Sequence, residues 1–137
     1  MKISEVRNEQ LNDVYYDIDH PSGLKILVMP KKGYESTYAI FATKYGSIDT
    51  MIQLEDGSFR QIPEGTAHFL EHKLFESEDL DAFERFAKTG ASANAYTSFD
   101  RTGYLFSCTG NFKKNLEILL LLIPLLFPFT FIFDKGE

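Results

Sequence analysis

The apolar period of this chain changes near residue 63 and changes back near residue 91, and that limits the folds open to it. Up to Ile62 the segments read as strands bounded by turn residues. From Pro63 to Gly90 the apolar residues recur at helical spacing, and from Ala93 to Thr109 the strand pattern returns. Strands, then helices, then strands and a last helix predict an α+β fold, an antiparallel or mixed sheet packed against helices.

Residues 14–19 and 24–31 are predicted strands joined by the turn His20-Pro21-Ser22-Gly23. In the second, Leu24, Ile26 and Val28 share one face and Lys25, Leu27 and Met29 the other, as in a sheet covered on one side and partly on the other. Residues 37–45 are a third strand closed by Gly46. Asp56-Gly57 has hairpin-turn chemistry between 51–54 and 59–62. A helix over 67–75 enters at Pro63-Glu64-Gly65-Thr66. A second opens at Ser77-Glu78-Asp79, with Leu80, Phe83, Phe86 and Ala87 as its apolar side and Gly90 as its stop. Residues 93–97 and 103–109 are antiparallel strands around a turn at 98–102. Asn111 caps a final helix carrying Leu116, Leu119 and Leu120, which Pro124 must end or kink.

Fourteen Lys plus Arg against 20 Asp plus Glu leave a net charge of −6, which argues against a phosphate-tracking nucleic-acid binder. The one cysteine, Cys108, cannot form an internal disulfide. The first seven residues have no apolar run behind their charge and do not read as a secretory signal, so a cytoplasmic location is the expectation.

Two of the three histidines lie in His68-Phe69-Leu70-Glu71-His72. On a helix His68 and His72 stand at i and i+4, so both imidazoles project from one face, the spacing two nitrogens need to grip one Zn²⁺. Glu71 falls on nearly the same face, and a carboxylate beside such a metal can take a proton from water. Phe69 and Leu70 are expected to point into the core. His-x-x-Glu-His is the inverted zinc-peptidase pattern, although two histidines at this spacing also occur by chance on unrelated helices.

The stretch Gly65-Thr66-Ala67-His68-Phe69-Leu70-Glu71-His72-Lys73-Leu74-Phe75-Glu76 closely resembles the signature of the pitrilysin/insulinase family of zinc peptidases, in its bacterial insulinase-like branch. A second stretch, from Gly90-Ala91-Ser92-Ala93-Asn94-Ala95-Tyr96-Thr97 through Asp100-Arg101-Thr102 to Tyr104-Leu105-Phe106, resembles the family in order and spacing as well. The resemblance covers about residues 13–120. It implies zinc as the cofactor, His68 and His72 as metal ligands, and Glu71 as the catalytic base of a zinc-dependent metalloendopeptidase. It also implies that 93–95 is an edge strand binding a peptide or unfolded polypeptide by strand addition, with Asn94 and Ala95 as substrate-binding residues. Asn94 has a second reading, an edge residue bonding its own backbone.

The resemblance breaks beyond about residue 120. In the family the third metal ligand is a Glu on a later helix, farther along than the 65 residues that follow His72. Residues 118–133 carry no charge, and Thr130 is the only polar one among them. Glu117, Asp134 and Glu137 are the available substitutes, none supported by the resemblance. The expectation is therefore a truncated N-terminal unit: a zinc-peptidase-like domain over 1–120 and an atypical apolar tail over 121–137. Such a chain alone is expected to be inactive, with a homologous second domain or subunit as a partner. The alternative is a non-catalytic relative that binds peptides without hydrolysis. Sixteen uncharged residues with Pro124 and Pro128 among them fall short of a membrane span, and the alternating Phe127, Phe129, Phe131 and Phe133 suit a strand better.

Overall fold

The computed structural model describes residues 1–54, 56–76 and 82–126. The chain divides into two compact units, Met1–Tyr34 and Glu35–Glu137. The first is a three-stranded antiparallel sheet of β1 (Lys2–Asn8), β2 (Asp13–Asp19) and β3 (Lys25–Val28), in the order β1-β2-β3. The sequence pattern did not reveal β1, because its apolar Ile3 and Val6 are three apart and so fall on opposite faces. The turn after it is polar: the Leu11 amide donates to Asn8 Oδ1 (3.1 Å), and Asn12 takes a left-handed φ of 50°. β3 is shorter than the predicted 24–31. Leu27, Val28 and Met29 are exposed where a partly covered second face was expected.

In the second unit β4 (Thr37–Thr43), β7 (Ser92–Thr97) and β8 (Thr102–Cys108) form an antiparallel sheet in the order β4-β8-β7. β5 (Met51–Gln53) and β6 (Phe59–Gln61) form a separate hairpin, with Gly57 at φ +82° in its turn. The helices are α1 (Thr66–Glu76), α2 (Ala82–Lys88) and α3 (Phe112–Leu126). Antiparallel sheets with helices on one of them make the chain α+β, as the sequence of periods predicted.

Alternation along β8 sends Tyr104, Phe106 and Cys108 to the helix side, where they meet Leu74 of α1, Ala82 and Phe86 of α2, and Ile118, Leu119 and Leu122 of α3. Phe86 and Phe106 stack with ring centroids 5.5 Å apart. On α2 only Ala82 and Phe86, one turn apart, are buried; Phe83 and Ala87, expected on the apolar side, are exposed. The stripe of Ala82 and Phe86 faces the sheet, and Phe83 and Ala87 fall to one side of it around the helix. The predicted opening at Ser77-Glu78-Asp79, with Leu80, lies outside the described residues. The helix ends as predicted at Gly90 (φ +77°), where the Gly90 amide donates to the Ala87 carbonyl and the Ala91 amide to Phe86.

Asn111 stands at the start of α3, its carbonyl accepting the Asn115 amide (3.0 Å), while its side chain donates to the Thr89 carbonyl (3.2 Å). Pro124 does not end α3, which continues to Leu126. A proline forfeits one amide donor, and the carbonyl it would have served belongs to Leu120, on the exposed side of the helix, where water can replace the lost bond. Leu122 is buried in the core, so α3 crosses residue 120 as a continuous element. The alternating phenylalanines, together with Asp134 and Glu137, lie outside the described residues.

Candidate metal centre

The entry to α1 is fixed locally. Gly65 takes a φ of +80°, the Thr66 hydroxyl donates to the Pro63 carbonyl (2.6 Å), and the Phe69 amide closes the first turn on the Gly65 carbonyl (2.9 Å). Ala67 and Leu74, seven residues apart, are the buried anchors of the helix. Phe69 is 60% exposed, with the Lys73 ammonium 5.8 Å from its ring, and Leu70 is only half-buried. The expectation that both point into the core fails for Phe69, which stands about 200° around the helix from Ala67, whereas Leu70, three residues after Ala67 and four before Leu74, lies on the face through which α1 packs.

His68 and His72 are exposed, their ring centroids 4.7 Å apart and their Nε2 atoms 2.9 Å apart. One ring can donate a hydrogen bond to the other only if a single Nε2 carries the proton. Two nitrogens on one tetrahedral zinc, each at ~2.05 Å, would stand about 3.3 Å apart. The imidazoles therefore converge to within a few tenths of an ångström of a metal-sharing separation. Among the described residues no group of three or more His, Cys, Asp or Glu gathers as a metal cluster, so Glu117 does not join the pair. Two imidazoles fit zinc as part of a ligand set that needs a third member.

Glu71 is half-buried beside them, and its Oε2 accepts a hydrogen bond of 2.7 Å from the Thr97 hydroxyl at the end of β7. Beneath it lies the phenol of Tyr104, 2% exposed. Burial, and then the charge of Glu71, push that phenol far above its ordinary range. Thr97 and Tyr104 were not singled out from the sequence. The strand parity of Ala93, Ala95 and Thr97 was the available signal, because it sends all three side chains toward the helices.

β7 has β8 on one side and is one of the two edge strands of its sheet among the described residues. Asn94 and Tyr96 point to the other face. Asn94 Oδ1 accepts the Ala95 amide (2.9 Å), while the Tyr96 ring covers Gly103, where a Cβ would come within 2.5 Å of it.

Comparisons with known proteins identify the family. A sequence model of the insulinase family, peptidase family M16, matches residues 48–123. The chain is 52% identical over 119 residues to the uncharacterized zinc protease YmfH of Bacillus subtilis, covering 86% of this chain and 28% of that protein. It is 33% identical over 100 residues to AlbF of Bacillus subtilis, also named a zinc protease, covering 72% and 23%. The crystal structure of an M16-like peptidase from Alicyclobacillus acidocaldarius aligns with a TM-score of 0.69 and 40% identity, covering 89% of this chain and 26% of that one. The chain thus spans about a quarter of the length of these relatives. With the family model covering more than half of it, the chain belongs to the insulinase family of peptidases, M16.

Proposed function

We propose that this chain carries the metal-binding and water-activating part of a zinc-dependent metalloendopeptidase. Zinc, when bound, would make water acidic and polarise a peptide carbonyl. His68 and His72 hold it through Nε2, and Glu71 is the general base that takes the proton from the attacking water. The observation that carries this reading is the 2.9 Å approach of the two Nε2 atoms, with Glu71 beside them on the same helix. The relatives named as zinc proteases support the same chemistry.

The substrate is an extended peptide laid along β7, next to the helix that bears the histidines. Asn94 and Ala95 meet its backbone, and a substrate carbonyl reaching the Ala95 amide has to displace the Asn94 side chain. A homologous domain or subunit is the partner that completes the substrate chamber. A reducing, cytoplasmic setting suits the single buried Cys108. No helix among the described residues is long and apolar enough to cross a membrane.

Two imidazoles alone hold zinc weakly and leave its geometry open, so this chain by itself is expected to bind zinc without turning over peptides. The second reading, a peptide-binding relative without hydrolysis, rests on the edge position of β7, which can take a further strand without any metal. Zinc titration against a chromophoric chelator tests the first. It should give one zinc per chain, with affinity falling at least about tenfold in His68→Ala and in His72→Ala. Zinc binding indifferent to both substitutions refutes the site. Chelator-sensitive cleavage by the unmodified chain would reveal a substitute ligand, with Asp134 and Glu137 the first to replace. Peptide binding that persists unchanged in the presence of chelator, without cleavage, supports the second reading.

A further inference from the structure

We propose that Thr97 is a positioning residue for Glu71: its hydroxyl fixes one carboxylate oxygen so that the other is left to receive a proton. The inference rests on the peptidase reading of the site and adds to it a residue that tethers the base. Glu71 Oε2 accepts the Thr97 hydroxyl at 2.7 Å, across 26 residues of sequence, and the contact is partly buried. Glu71 Oε1 makes no hydrogen bond to the described residues. A free glutamate on a helix samples several rotamers, and a single charge-assisted bond to a fixed donor removes most of that freedom.

The donor is fixed. Thr97 pairs with Thr102 of β8, and the Thr102 hydroxyl donates to the buried Tyr45 carbonyl (2.8 Å). The next residue, Ser98, is held twice, its amide by the Arg101 carbonyl (2.8 Å) and its carbonyl by the Ser47 amide (2.9 Å). Phe99 accepts the Ile48 amide (3.1 Å), and Gly46 packs so closely on this turn that a Cβ would meet the Phe99 carbonyl oxygen at 2.3 Å. The end of β7 is therefore clamped by the segment after β4, and Thr97 transmits that rigidity to α1. Thr97 also shares the helix side of β7 with Ala93 and Ala95, whose small side chains leave the hydroxyl as the polar group of that face.

The test compares the unmodified chain with Thr97→Val and Thr97→Ser. Valine keeps the β-branched shape that a strand favours and removes only the donor, so the fold is retained. Three-bond scalar couplings of the Glu71 side chain report its rotamer, and zinc affinity is measured on the same samples. The unmodified chain and Thr97→Ser should show a single χ1 rotamer for Glu71, and Thr97→Val an averaged one. Zinc affinity should stay within about twofold in all three, because Glu71 is not a ligand; loss of a group that orients a ligand would cost about tenfold or more. Couplings unaltered in Thr97→Val, or averaged equally in Thr97→Ser, overturn the proposal. So does a tenfold loss of zinc affinity with the Glu71 couplings unchanged, since Thr97 would then act on the histidines. Failure of the unmodified chain to bind zinc counts against the peptidase reading, while the couplings still decide the tether.

Discussion

Gly46→Ala should loosen the clamp behind the site without touching any residue of it. A Cβ at this position would lie 2.3 Å from the Phe99 carbonyl oxygen and 2.5 Å from both the Arg101 amide nitrogen and the Phe99 carbonyl carbon. All three are backbone atoms of a tight turn, so no side chain can swing aside, and the segment after β4 has to move off. That movement breaks or stretches three hydrogen bonds: Ser47 to Ser98, Ile48 to Phe99, and the buried bond from Thr102 to the Tyr45 carbonyl. At about 1 kcal/mol each, the loss is about 3 kcal/mol, a large part of the 5–15 kcal/mol roughly available to a domain. With an m-value of about 2 kcal/mol/M, the urea midpoint should fall by about 1.5 M, with the slope unchanged. Denaturation of the whole chain followed by circular dichroism measures this. A midpoint shift below about 0.3 M would show that the two segments separate at little cost, and the rigidity assigned to Thr97 would lose its basis.

Other perturbations probe the core and the site separately. Phe106→Ala removes a fully buried ring stacked on Phe86 and near Phe112, and should cost about 3–5 kcal/mol by the same urea assay. Tyr104 should be the last tyrosine to ionise in an alkaline titration followed at 295 nm, a late step absent from Tyr104→Phe. Its folded pKa is raised, first by burial and then by Glu71, so its contribution to stability is intact below the ordinary tyrosine range. That contribution is lost as pH climbs above it, because the unfolded chain releases the proton first. Glu71→Gln should leave zinc affinity within about twofold while removing the base, and a tenfold loss on titration would make Glu71 a ligand instead.

The site was more legible in the sequence than the packing around it. The spacing of His68, Glu71 and His72 needs only helical geometry, and the structure brings the two rings together as that geometry requires. What depends on tertiary neighbours was not legible. Phe69 and Phe83 have the composition of core residues, yet their helices turn other faces to the sheet. β1 hides because Ile3 and Val6 break the alternation, and α3 passes Pro124 where the unserved Leu120 carbonyl lies on an exposed face open to water. Asn94 was open between substrate and its own backbone, and in this structure its side chain holds the Ala95 amide. The role of Thr97 is invisible in its motif, since a hydrogen bond to a residue 26 positions away follows from the packing of α1 on β7.

Whether His68 and His72 share one metal ion is read by X-ray absorption at the zinc edge, recorded on the chain loaded with one equivalent of zinc. Two imidazole nitrogens should appear at about 2.0–2.1 Å, with the multiple-scattering signature of histidine rings, the remaining positions filled by oxygen. A spectrum with no imidazole scattering, or one unchanged by His68→Ala and His72→Ala, would contradict a shared ion.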